Sequence, residues 1–396
     1  MSNHQVVVIG AGPSGVAAAV SLLDCGLQPL LVDRAEHVGS SWRGRYDRLK
    51  LNTGRPLSHL PNRRYPKGTA IFPTRSDVAD HLDRHAHEKG ISLRLGTRVE
   101  RIEPLDDGWR LHTSTGEIDT RQVVVATGYE HTPFLPEWPG MQTFTGDILH
   151  SSGYHNPEPF VGKRVLVVGA GSSGMEIVHD VATGGAERAW LSIRTPPNIL
   201  PRRGPGGIPS DFIATPLCRV PPKLADIMGG WGRRLCFGDL TEYGLPTPTE
   251  GPFVRGARVG KAPAIVDKEV VEAIRARQFE VVSGIAAIAG GVVELTSGER
   301  LEPDVVICAT GYRRGLESMV GHLDVLDADG VPVVADEVPA APGLRFIGFL
   351  SRPGLIGYVA GKSKRVAKSI VRDLNSQPSE DGSQAVPGLC SQEVIT

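Results

Sequence analysis

The sequence predicts an α/β protein composed of two Rossmann-like domains, and three observations support this fold class. A short strand rich in Val and Ile, a glycine-rich turn and a helix of small residues follow one another at residues 5–25. The same order returns at residues 164–183. In each half a later apolar strand ends in Ala-Thr-Gly-Tyr, at residues 126–129 and 309–312. Because such a strand–turn–helix unit belongs to a parallel sheet, its repetition predicts two parallel sheets.

Composition and charge narrow the classes of function. The chain has 396 residues, of which 40% are hydrophobic and 22% charged, as is ordinary for a globular protein. Its formal net charge is -1 and it has no run of Lys and Arg, which argues against nucleic-acid binding. The N-terminus has no targeting pattern, and no apolar run approaches the roughly 20 residues that span a bilayer. We therefore expect a cytoplasmic protein that binds small molecules, with no nucleic-acid or membrane partner.

The cysteines argue against several kinds of site. Five of them are scattered along the chain, and no two form a C-x-x-C pair. This pattern disfavours a disulfide framework, a zinc site and a redox dithiol. We expect free thiols and no metal.

The first glycine-rich turn has the features of a dinucleotide site. Gly10, Gly12 and Gly15 would provide a tight turn, room for a pyrophosphate and close packing of helix on strand. The next predicted strand ends in Asp33, 18 residues after Gly15. A carboxylate at that position can accept hydrogen bonds from ribose hydroxyls, so a purely structural turn is the weaker interpretation.

The second turn repeats the glycines but differs after its answering strand. The repeated residues are Gly169, Gly171 and Gly174. Arg194 and Thr195 stand where the first half has Asp33 and Arg34. An arginine there can bind a 2′-phosphate through charge-assisted hydrogen bonds. The first site is thus predicted to bind FAD and the second NADPH. The alternative is that Arg194 is a solvated surface residue.

The other elements are predicted from local pattern. Residues 39–73 lack periodicity and are predicted to form a long loop, which in a compact domain is usually functional. A helix is expected at residues 76–89, with Ser76 as its N-cap. Residues 196–263 are rich in Pro, Gly and Arg, fit no sheet, and are expected to cover a substrate entrance. The tail at 375–396 is predicted to be disordered. Further strands are expected at 30–33, 91–103, 109–113, 117–125, 189–193, 279–283, 291–296, 304–308 and 344–349, and a helix at 355–374.

A string between the two turns carries a family resemblance. Phe144, Gly146, His150 and Tyr154 form the pattern Phe-x-Gly-x-x-x-His-x-x-x-Tyr. With the two turns and the two Ala-Thr-Gly-Tyr segments, this string resembles the class B flavin-dependent monooxygenases over residues 6–370. Tyr154 stands where the Baeyer-Villiger enzymes of that class have Trp-Pro. The chain is therefore more similar to the flavin-containing monooxygenase and plant YUCCA-type branch.

Other segments extend the resemblance, with one departure. Those similar to the YUCCA-type enzymes are residues 46–51, 174–176, 200–202 and 260–263. The pair Asn52-Thr53 instead resembles the Asn-Thr of members that oxidise amines and sulfides. Ser172 departs from the pattern, since the family often has Asn at that position.

The resemblance implies an NADPH- and O2-dependent flavin monooxygenase. In such enzymes NADPH reduces FAD, O2 adds to give a C4a-(hydro)peroxyflavin, and one oxygen atom enters a small organic substrate. N- or S-oxygenation and YUCCA-like oxidative decarboxylation of an α-keto acid are both open. The alternatives are Baeyer-Villiger oxygenation of a ketone and a flavin-dependent NADPH reductase. A homodimer is also left open.

The repeated unit also predicts how the domains are arranged. We expect a glutathione-reductase-like FAD domain formed by residues 1–156 and 304–374, with an NADPH domain inserted at residues 157–303. The reason is that the strand–turn–helix pattern restarts once, while the second Ala-Thr-Gly-Tyr leads into material needed to complete the first sheet.

Asn52 is the predicted catalytic residue. It falls on the loop that should run from the first turn toward the flavin ring, and an amide can donate a hydrogen bond there without titrating near neutral pH. The alternative is an Asn that only stabilises a turn. The predicted FAD contacts are Gly10, Gly12, Pro13, Ser14, Gly15, Asp33, Arg34, Ser41, Trp42, Val99, Ala126, Thr127 and Gly128. The predicted NADPH contacts are Gly169, Gly171, Ser172, Ser173, Gly174, Arg194 and Thr195.

Overall fold

A computed structural model describes residues 4–259, 263–350 and 354–376. Its helices are α1 (Pro13–Asp24), α2 (Ser40–Arg43), α3 (Arg75–Ala86), α4 (Ser172–Thr183), α5 (Asp211–Leu217), α6 (Pro222–Phe237), α7 (Pro252–Val259), α8 (Lys268–Arg275), α9 (Glu317–Val320) and α10 (Leu355–Ser376). Its strands are β1 (His4–Ile9), β2 (Leu30–Val32), β3 (Ser92–Arg94), β4 (Val99–Leu105), β5 (Gly108–Thr113), β6 (Gly116–Val125), β7 (Thr132–Pro133), β8 (Asp147–His150), β9 (Arg164–Val168), β10 (Arg188–Ser192), β11 (Ile199–Pro201), β12 (Ala264–Val266), β13 (Glu280–Val282), β14 (Ile285–Ala289), β15 (Val292–Leu295), β16 (Arg300–Leu301), β17 (Val305–Cys308), β18 (Tyr312–Arg313) and β19 (Leu344–Phe346).

The first sheet is built around β1. It runs β3-β2-β1-β6 in parallel, and β6 then pairs with parallel β19 along one stretch and with antiparallel β5 along another. Strand β4 pairs antiparallel with the far side of β5 and ends the sheet. Successive residues of β1 belong to different apolar clusters: Val6 and Val8 face one, while Val7 and Ile9 face the other. A continuous Val/Ile run is therefore what this strand needs, because both faces of the sheet are covered.

The second sheet is entirely parallel, in the order β13-β10-β9-β17-β8. Here too the central strand faces two clusters, with Val165 and Val167 on one side and Leu166 on the other. The two-sheet α/β fold predicted from the repeated pattern is confirmed. The strand predicted at residues 164–168 is found with those bounds.

Two strands near the predicted domain boundaries pair with the second sheet and not with the first. Strands β8 and β17 fall in the ranges assigned to the FAD domain, 1–156 and 304–374, yet both pair within the second sheet. A buried parallel strand such as β9 needs neighbours along both edges, and β17 supplies the second one. By sheet membership the second unit runs from 147 to 308, whereas the assignment of FAD to a discontinuous domain at 1–156 and 304–374 and of NADPH to one at 157–303 stays a prediction.

The C-terminal segment returns to the first sheet through a buried arginine. Arg345 of β19 donates hydrogen bonds to Gln122 Oε1 of β6 (2.9 Å) and to Ser369 Oγ of α10 (3.0 Å), and it also pairs with Asp373. Its side chain is 1% exposed. The guanidinium therefore fastens both β19 and α10 to the sheet that begins with β1.

Residues 196–263 contain more regular structure than their composition predicted. Strands β11 and β12 form a parallel pair in register from Ile199 with Ala264 to Pro201 with Val266. Helices α5, α6 and α7 lie between these strands in sequence. No sheet was expected here, since each strand has three residues and its partner lies more than 60 positions away.

Three smaller predictions also change. Helix α3 is capped by Thr74 and not by Ser76: Thr74 Oγ1 accepts from the Asp77 amide (3.2 Å), and Asp77 accepts from the Thr74 amide (2.9 Å). The strand predicted at 91–103 divides into β3 and β4 at a bend near Gly96, whose φ of +63° favours glycine. Helix α10 extends to Ser376, and the rest of the tail predicted to be disordered lies outside the described residues.

Candidate active site

One large cleft, of about 2360 Å3, receives both glycine-rich turns. It is lined by residues of the turn before α1, the turn before α4, the loop after α2, and helices α5 and α10. Of the predicted site residues, all but Gly15 and Gly174 line it. The fold thus brings the two predicted nucleotide sites into a single cavity, which is the arrangement that transfer between two bound cofactors requires.

The third glycine of the first turn lies beneath the cleft wall because it packs against the first glycine. A Cβ on Gly15 would lie 1.6 Å from the Gly10 carbonyl oxygen. Gly10 itself has a φ of +106°, and a Cβ there would lie 2.8 Å from the Ala126 carbonyl oxygen. A Cβ on Gly12, at the start of α1, would meet only Ser41 Oγ, at 3.9 Å, and no side chain caps this helix. The uncapped N-terminus can therefore receive a pyrophosphate.

Asp33 is fixed at the edge of this turn. Its carboxylate accepts hydrogen bonds from the backbone amides of Ala11 (2.5 Å) and Ala35 (2.8 Å). Thr127 lines the same part of the cleft, and its buried hydroxyl has no hydrogen-bond partner in the described part of the chain. A held carboxylate and a buried hydroxyl without a partner both fit a polar ligand such as the ribose of FAD.

The second turn has the same construction. A Cβ on Gly174 would lie 1.8 Å from the Gly169 carbonyl oxygen, and one on Gly169 would lie 2.5 Å from the Ala309 carbonyl oxygen. Gly171 meets nothing within 4 Å. Each Ala-Thr-Gly-Tyr segment therefore begins directly behind the first glycine of one turn. The glycine-rich turn and the Ala-Thr-Gly-Tyr segment therefore occur together in each half because the two pack directly against each other.

Arg194 projects at the end of β10, where a 2′-phosphate was predicted. It is exposed, lines the cleft together with Thr195, and has no hydrogen bond or ion pair within the described residues. Its backbone lies against Gly284, where a Cβ would come within 3.7 Å of the Arg194 Cα. An exposed guanidinium beside the second turn is available to a phosphate. Its selectivity for NADPH stays a prediction.

Asn52 lies between the two turns and contacts the second one. Its amide nitrogen donates to Ser172 Oγ at 3.5 Å, and this hydroxyl also accepts from the Ile265 amide at 2.9 Å. The side-chain oxygen of Asn52, Oδ1, is buried without a hydrogen-bond partner among the described residues. No hydrogen bond joins its side chain to its own backbone in that part of the chain, so the turn-stabilising alternative finds no contact to support it. Ser172, the departure from the family pattern, is thus the direct neighbour of Asn52.

The Phe-to-Tyr string at residues 144–154 lies in the segment between β6 and β9, which we call the linker, and it fastens this linker to the second sheet. His150 Nε2 lies 3.0 Å from the Gly311 carbonyl oxygen, and Tyr154 donates to Asp180 Oδ2 of α4 at 2.7 Å. A Cβ on Gly146 would lie 2.3 Å from the Asp304 carbonyl oxygen. Burial, helped by the Asp180 hydrogen bond, raises the pKa of Tyr154. These residues therefore position the linker: His150 and Tyr154 through side-chain hydrogen bonds, and Gly146 through close packing.

Sequence reasoning missed Asp211, the first residue of α5. Its side chain is buried and accepts a hydrogen bond from the Gly54 amide at 2.8 Å, while its other oxygen, Oδ1, has no hydrogen-bond partner in the described ranges. Burial raises the pKa of this carboxyl group, and the amides of Gly54, Asp211 and Phe212 oppose that rise. No local sequence pattern identifies Asp211 as a site residue, because residues 196–263 show no clear periodicity and its partner Gly54 lies far away in sequence.

The residues present fit both cofactors. Each uncapped helix start lies beside a glycine whose Cβ position is free of close contacts, and the cleft is also lined by Thr127 and Asn52, each with a buried polar atom that has no hydrogen-bond partner among the described residues. The first turn with Asp33 would hold FAD, and the second turn with Arg194 would hold NADPH. When bound, FAD accepts hydride from NADPH and reacts with O2; the protein positions both cofactors and limits access of water.

Comparison with known proteins finds relatives over nearly the whole chain. A family model described as pyridine nucleotide-disulphide oxidoreductase matches residues 7–197. The probable indole-3-pyruvate monooxygenase YUCCA3 of Arabidopsis thaliana is 32% identical over 392 residues, covering 96% of this chain and 88% of the relative. The indole-3-pyruvate monooxygenase YUCCA1 of Oryza sativa subsp. japonica is 31% identical, with 96% and 93% covered.

Solved structures show the same fold. A flavin-containing monooxygenase from Stenotrophomonas maltophilia has a TM-score of 0.70 at 24% identity, covering 94% of this chain and 99% of that one. Cyclohexanone monooxygenase from Rhodococcus sp. Phi1, bound to NADP+, has a TM-score of 0.69 at 18% identity, with 94% and 85% covered.

The second and third glycines of the second turn, Gly171 and Gly174, allow a first test. Gly174→Ala should lower the free energy of unfolding by about 3 kcal/mol or more, because its Cβ would overlap the Gly169 carbonyl oxygen. Gly171→Ala should cost no more than about 1 kcal/mol of stability, yet weaken NADPH binding, because its methyl group would occupy the open space in the cleft. Chemical unfolding and NADPH titration measure the two effects. Equal stability losses would contradict the assignment.

Arg194→Ala should weaken NADPH use by about 1.5–3 kcal/mol, the scale of a hydrogen bond to a charged group. NADH use should stay nearly unchanged, since NADH lacks the 2′-phosphate. Flavin reduction rates with each nucleotide provide the measurement. An equal loss with both would show that Arg194 has a structural role.

Proposed function

The chain belongs to the class B flavin-dependent monooxygenases, and we propose that it oxidatively decarboxylates a 2-oxo acid with an aromatic side chain. It is an enzyme that uses FAD, NADPH and O2 to insert one oxygen atom into a small organic substrate. The single observation that carries the choice of substrate is the full-length relationship to enzymes named indole-3-pyruvate monooxygenases, at 31–32% identity over 88–93% of their length. The solved structures, below 25% identity, support the fold alone.

The walls of the cleft beyond Asn52 suit an aromatic group. Apolar side chains of α5 and α10 line this end, which we call the α5 end of the cleft: Ile213, Ala214, Leu217, Leu355 and Ile356. The Asp211 bond to Gly54 holds α5 against the loop that carries Asn52. An aromatic ring placed there removes apolar surface from water on both sides.

The proposed reaction balances without a further reagent. R-CH2-CO-COO⁻ reacts with O2, NADPH and H⁺ to give R-CH2-COO⁻, CO2, NADP⁺ and H2O. The bond between the carbonyl carbon and the carboxylate breaks, one oxygen atom of O2 enters the new carboxylate, and the other leaves as water. The residues of the chain hold the two nucleotides, keep the α5 end apolar and, through the Asn52 amide, offer a hydrogen-bond donor that does not titrate near neutral pH.

N-oxygenation of an amine is the second candidate, and Asp211 is the observation that favours it. Its buried carboxylate has one oxygen without a hydrogen-bond partner in the described part of the chain, beside the loop that carries Asn52. Such a group can accept a hydrogen bond from a substrate N–H or pair with an ammonium group. A substrate carboxylate would instead be repelled by it, so the two candidates place opposite demands on this end of the cleft.

We also propose a cytoplasmic location, which the free thiols of Cys218, Cys236 and Cys308 support, since thiols stay reduced in that compartment. In the part of the chain that the structure describes, no helix has both the length and the apolar character that crossing a membrane demands. A homodimer stays a prediction that light scattering on the purified protein tests.

The substrate proposal predicts a labelled product. With indole-3-pyruvate or phenylpyruvate, NADPH and 18O2, the protein should release CO2 and form the arylacetic acid with one 18O atom. Mass spectrometry of the product measures this, and protein without NADPH is the control. Turnover of tertiary amines or thioethers with no reaction of either 2-oxo acid would contradict the proposal and favour the second candidate.

Asn52→Ala should leave FAD binding and reduction by NADPH near normal, because neither nucleotide turn is altered. More hydrogen peroxide should be released per NADPH oxidised, because the amide that faces the cleft is lost. Peroxide and NADPH are measured together, with Asn156→Ala as the control, since Asn156 lies on the linker and pairs with Asp47 outside the cleft. Unchanged coupling with intact product yield would rule out this role.

A further inference from the structure

Arg202 is a buried arginine whose hydrogen bonds join three separate segments. Its guanidinium is 3% exposed. Nη1 donates to the carbonyl oxygens of Lys50 (2.9 Å) and Leu51 (2.7 Å), Nε donates to Asp267 Oδ1 (2.9 Å), and Nη2 pairs with Glu176. The two carbonyl groups belong to the residues directly before Asn52. Arg202 is therefore hydrogen-bonded to the backbone directly before the candidate catalytic residue.

Glu176 anchors the other side of this arginine. It is 3% exposed, lies in the first turns of α4, and stands two positions after Gly174 of the NADPH turn. Tyr46 donates to its second oxygen at 2.7 Å. Burial raises the pKa of Glu176 while Arg202 opposes that rise, and burial together with Glu176 raises the pKa of Tyr46. Both oxygens of Glu176 are thus engaged by groups that also belong to the Asn52 loop or hold it.

This loop has a different anchor on the side of the first sheet. The Leu51 amide donates to the Pro73 carbonyl oxygen at 2.8 Å, while the Leu51 carbonyl group faces Arg202. The contact that Asn52 itself makes, to Ser172, is long at 3.5 Å and fixes its side chain only weakly. The placement of Asn52 relative to the second turn therefore depends on the backbone contacts to Arg202.

A buried ion pair of this kind does more for geometry than for stability. Removing two charges from water costs about as much as their attraction returns, so such pairs are weak evidence of stabilisation. A planar guanidinium can donate in several fixed directions at once, which a lysine ammonium cannot match. The four hydrogen bonds use that planar geometry to set the distance between α4 and residues 50–52.

We propose that Arg202, held by Glu176, is a positioning residue that sets Asn52 against the NADPH turn. It touches neither substrate nor cofactor in this role and acts through the Lys50 and Leu51 carbonyl groups. The proposal rests on the monooxygenase activity of the family and not on the choice of a 2-oxo acid. It adds to the site two residues that lie outside the glycine-rich turns and share no local sequence with them.

Arg202→Lys tests the proposal because it keeps the positive charge but removes the planar guanidinium group, which donates hydrogen bonds in several directions at once. In FAD-loaded protein supplied with NADPH and air, but with no organic substrate, the variant should release hydrogen peroxide several-fold faster than the wild type. Reduction of its flavin by NADPH without oxygen should stay near the wild-type rate, which is measured by flavin absorbance, because Arg202 acts through Asn52 and contacts neither glycine-rich turn. Because no organic substrate is present, failure of the 2-oxo acid proposal would not alter either result.

A second comparison separates positioning from general damage. If Arg202 acts through Asn52, the double variant Arg202→Lys/Asn52→Ala should release peroxide at the rate of Asn52→Ala alone; independent effects that add would overturn the proposal. Arg188→Lys is the matched control, because Arg188 pairs with Glu280 across two strands of the second sheet but is 53% exposed, and its hydrogen bonds within the described residues go to Glu280 and not to residues 50–52. Its peroxide release and its rate of flavin reduction should equal those of the wild type.

A milder variant keeps the test decisive if Arg202→Lys fails to fold. Tyr46→Phe removes only the hydroxyl that donates to Glu176 and leaves the buried ring. It should raise peroxide release in the same direction by a smaller factor, with a normal FAD content and a melting temperature near that of the wild type. Wild-type peroxide release in folded, FAD-loaded Arg202→Lys, or in Tyr46→Phe if the former does not fold, would overturn the proposal.

Discussion

The active site depends on the close approach of two helices to the backbone turns that precede them. At Gly15 and Gly174 the space left for a side chain is taken by a carbonyl oxygen of the same turn. This contact sets the first turn of each helix against its strand and leaves the uncapped amides pointing into the cleft. The residues that face a ligand are therefore positioned by residues that do not face it.

A second constraint concerns the region between the turns, where no single element spans the distance. The loop at residues 50–52 is held on one side by Pro73 of its own domain and on the other by Arg202 of the insertion. Arg202 in turn is held by Glu176 and Asp267, so a charged group buried at 3% exposure connects four segments. Through Arg202 and α5, the segment at 196–263 thus both holds the loop of the candidate catalytic residue and lines the cleft.

Local chemistry made much of this molecule predictable, and distant pairing made the rest unpredictable. Both turns, Asp33 and the strand at 164–168 follow from short patterns in which neighbours in sequence are neighbours in space. The cap of α3 is also predictable in principle, because Thr74 and Asp77 have the spacing of a capping box, which indicates Thr74 and not the predicted Ser76. Asp211 and Arg202 gave no such indication, since their partners at Gly54, Lys50 and Glu176 lie far away in sequence and only the fold brings them together.

The return of the C-terminal segment to the first sheet has a consequence for biosynthesis. The hydrogen bond between Ser21 of α1 and Ser363 of α10 joins residues 342 positions apart, and Arg345 joins β6 to the same helix. On the ribosome most strands of the first sheet emerge long before β19 and α10, whereas the strands at 147–308 are complete earlier. We therefore expect the nascent chain to fold from its middle outward, with the N-terminal sheet waiting for the last residues to be translated.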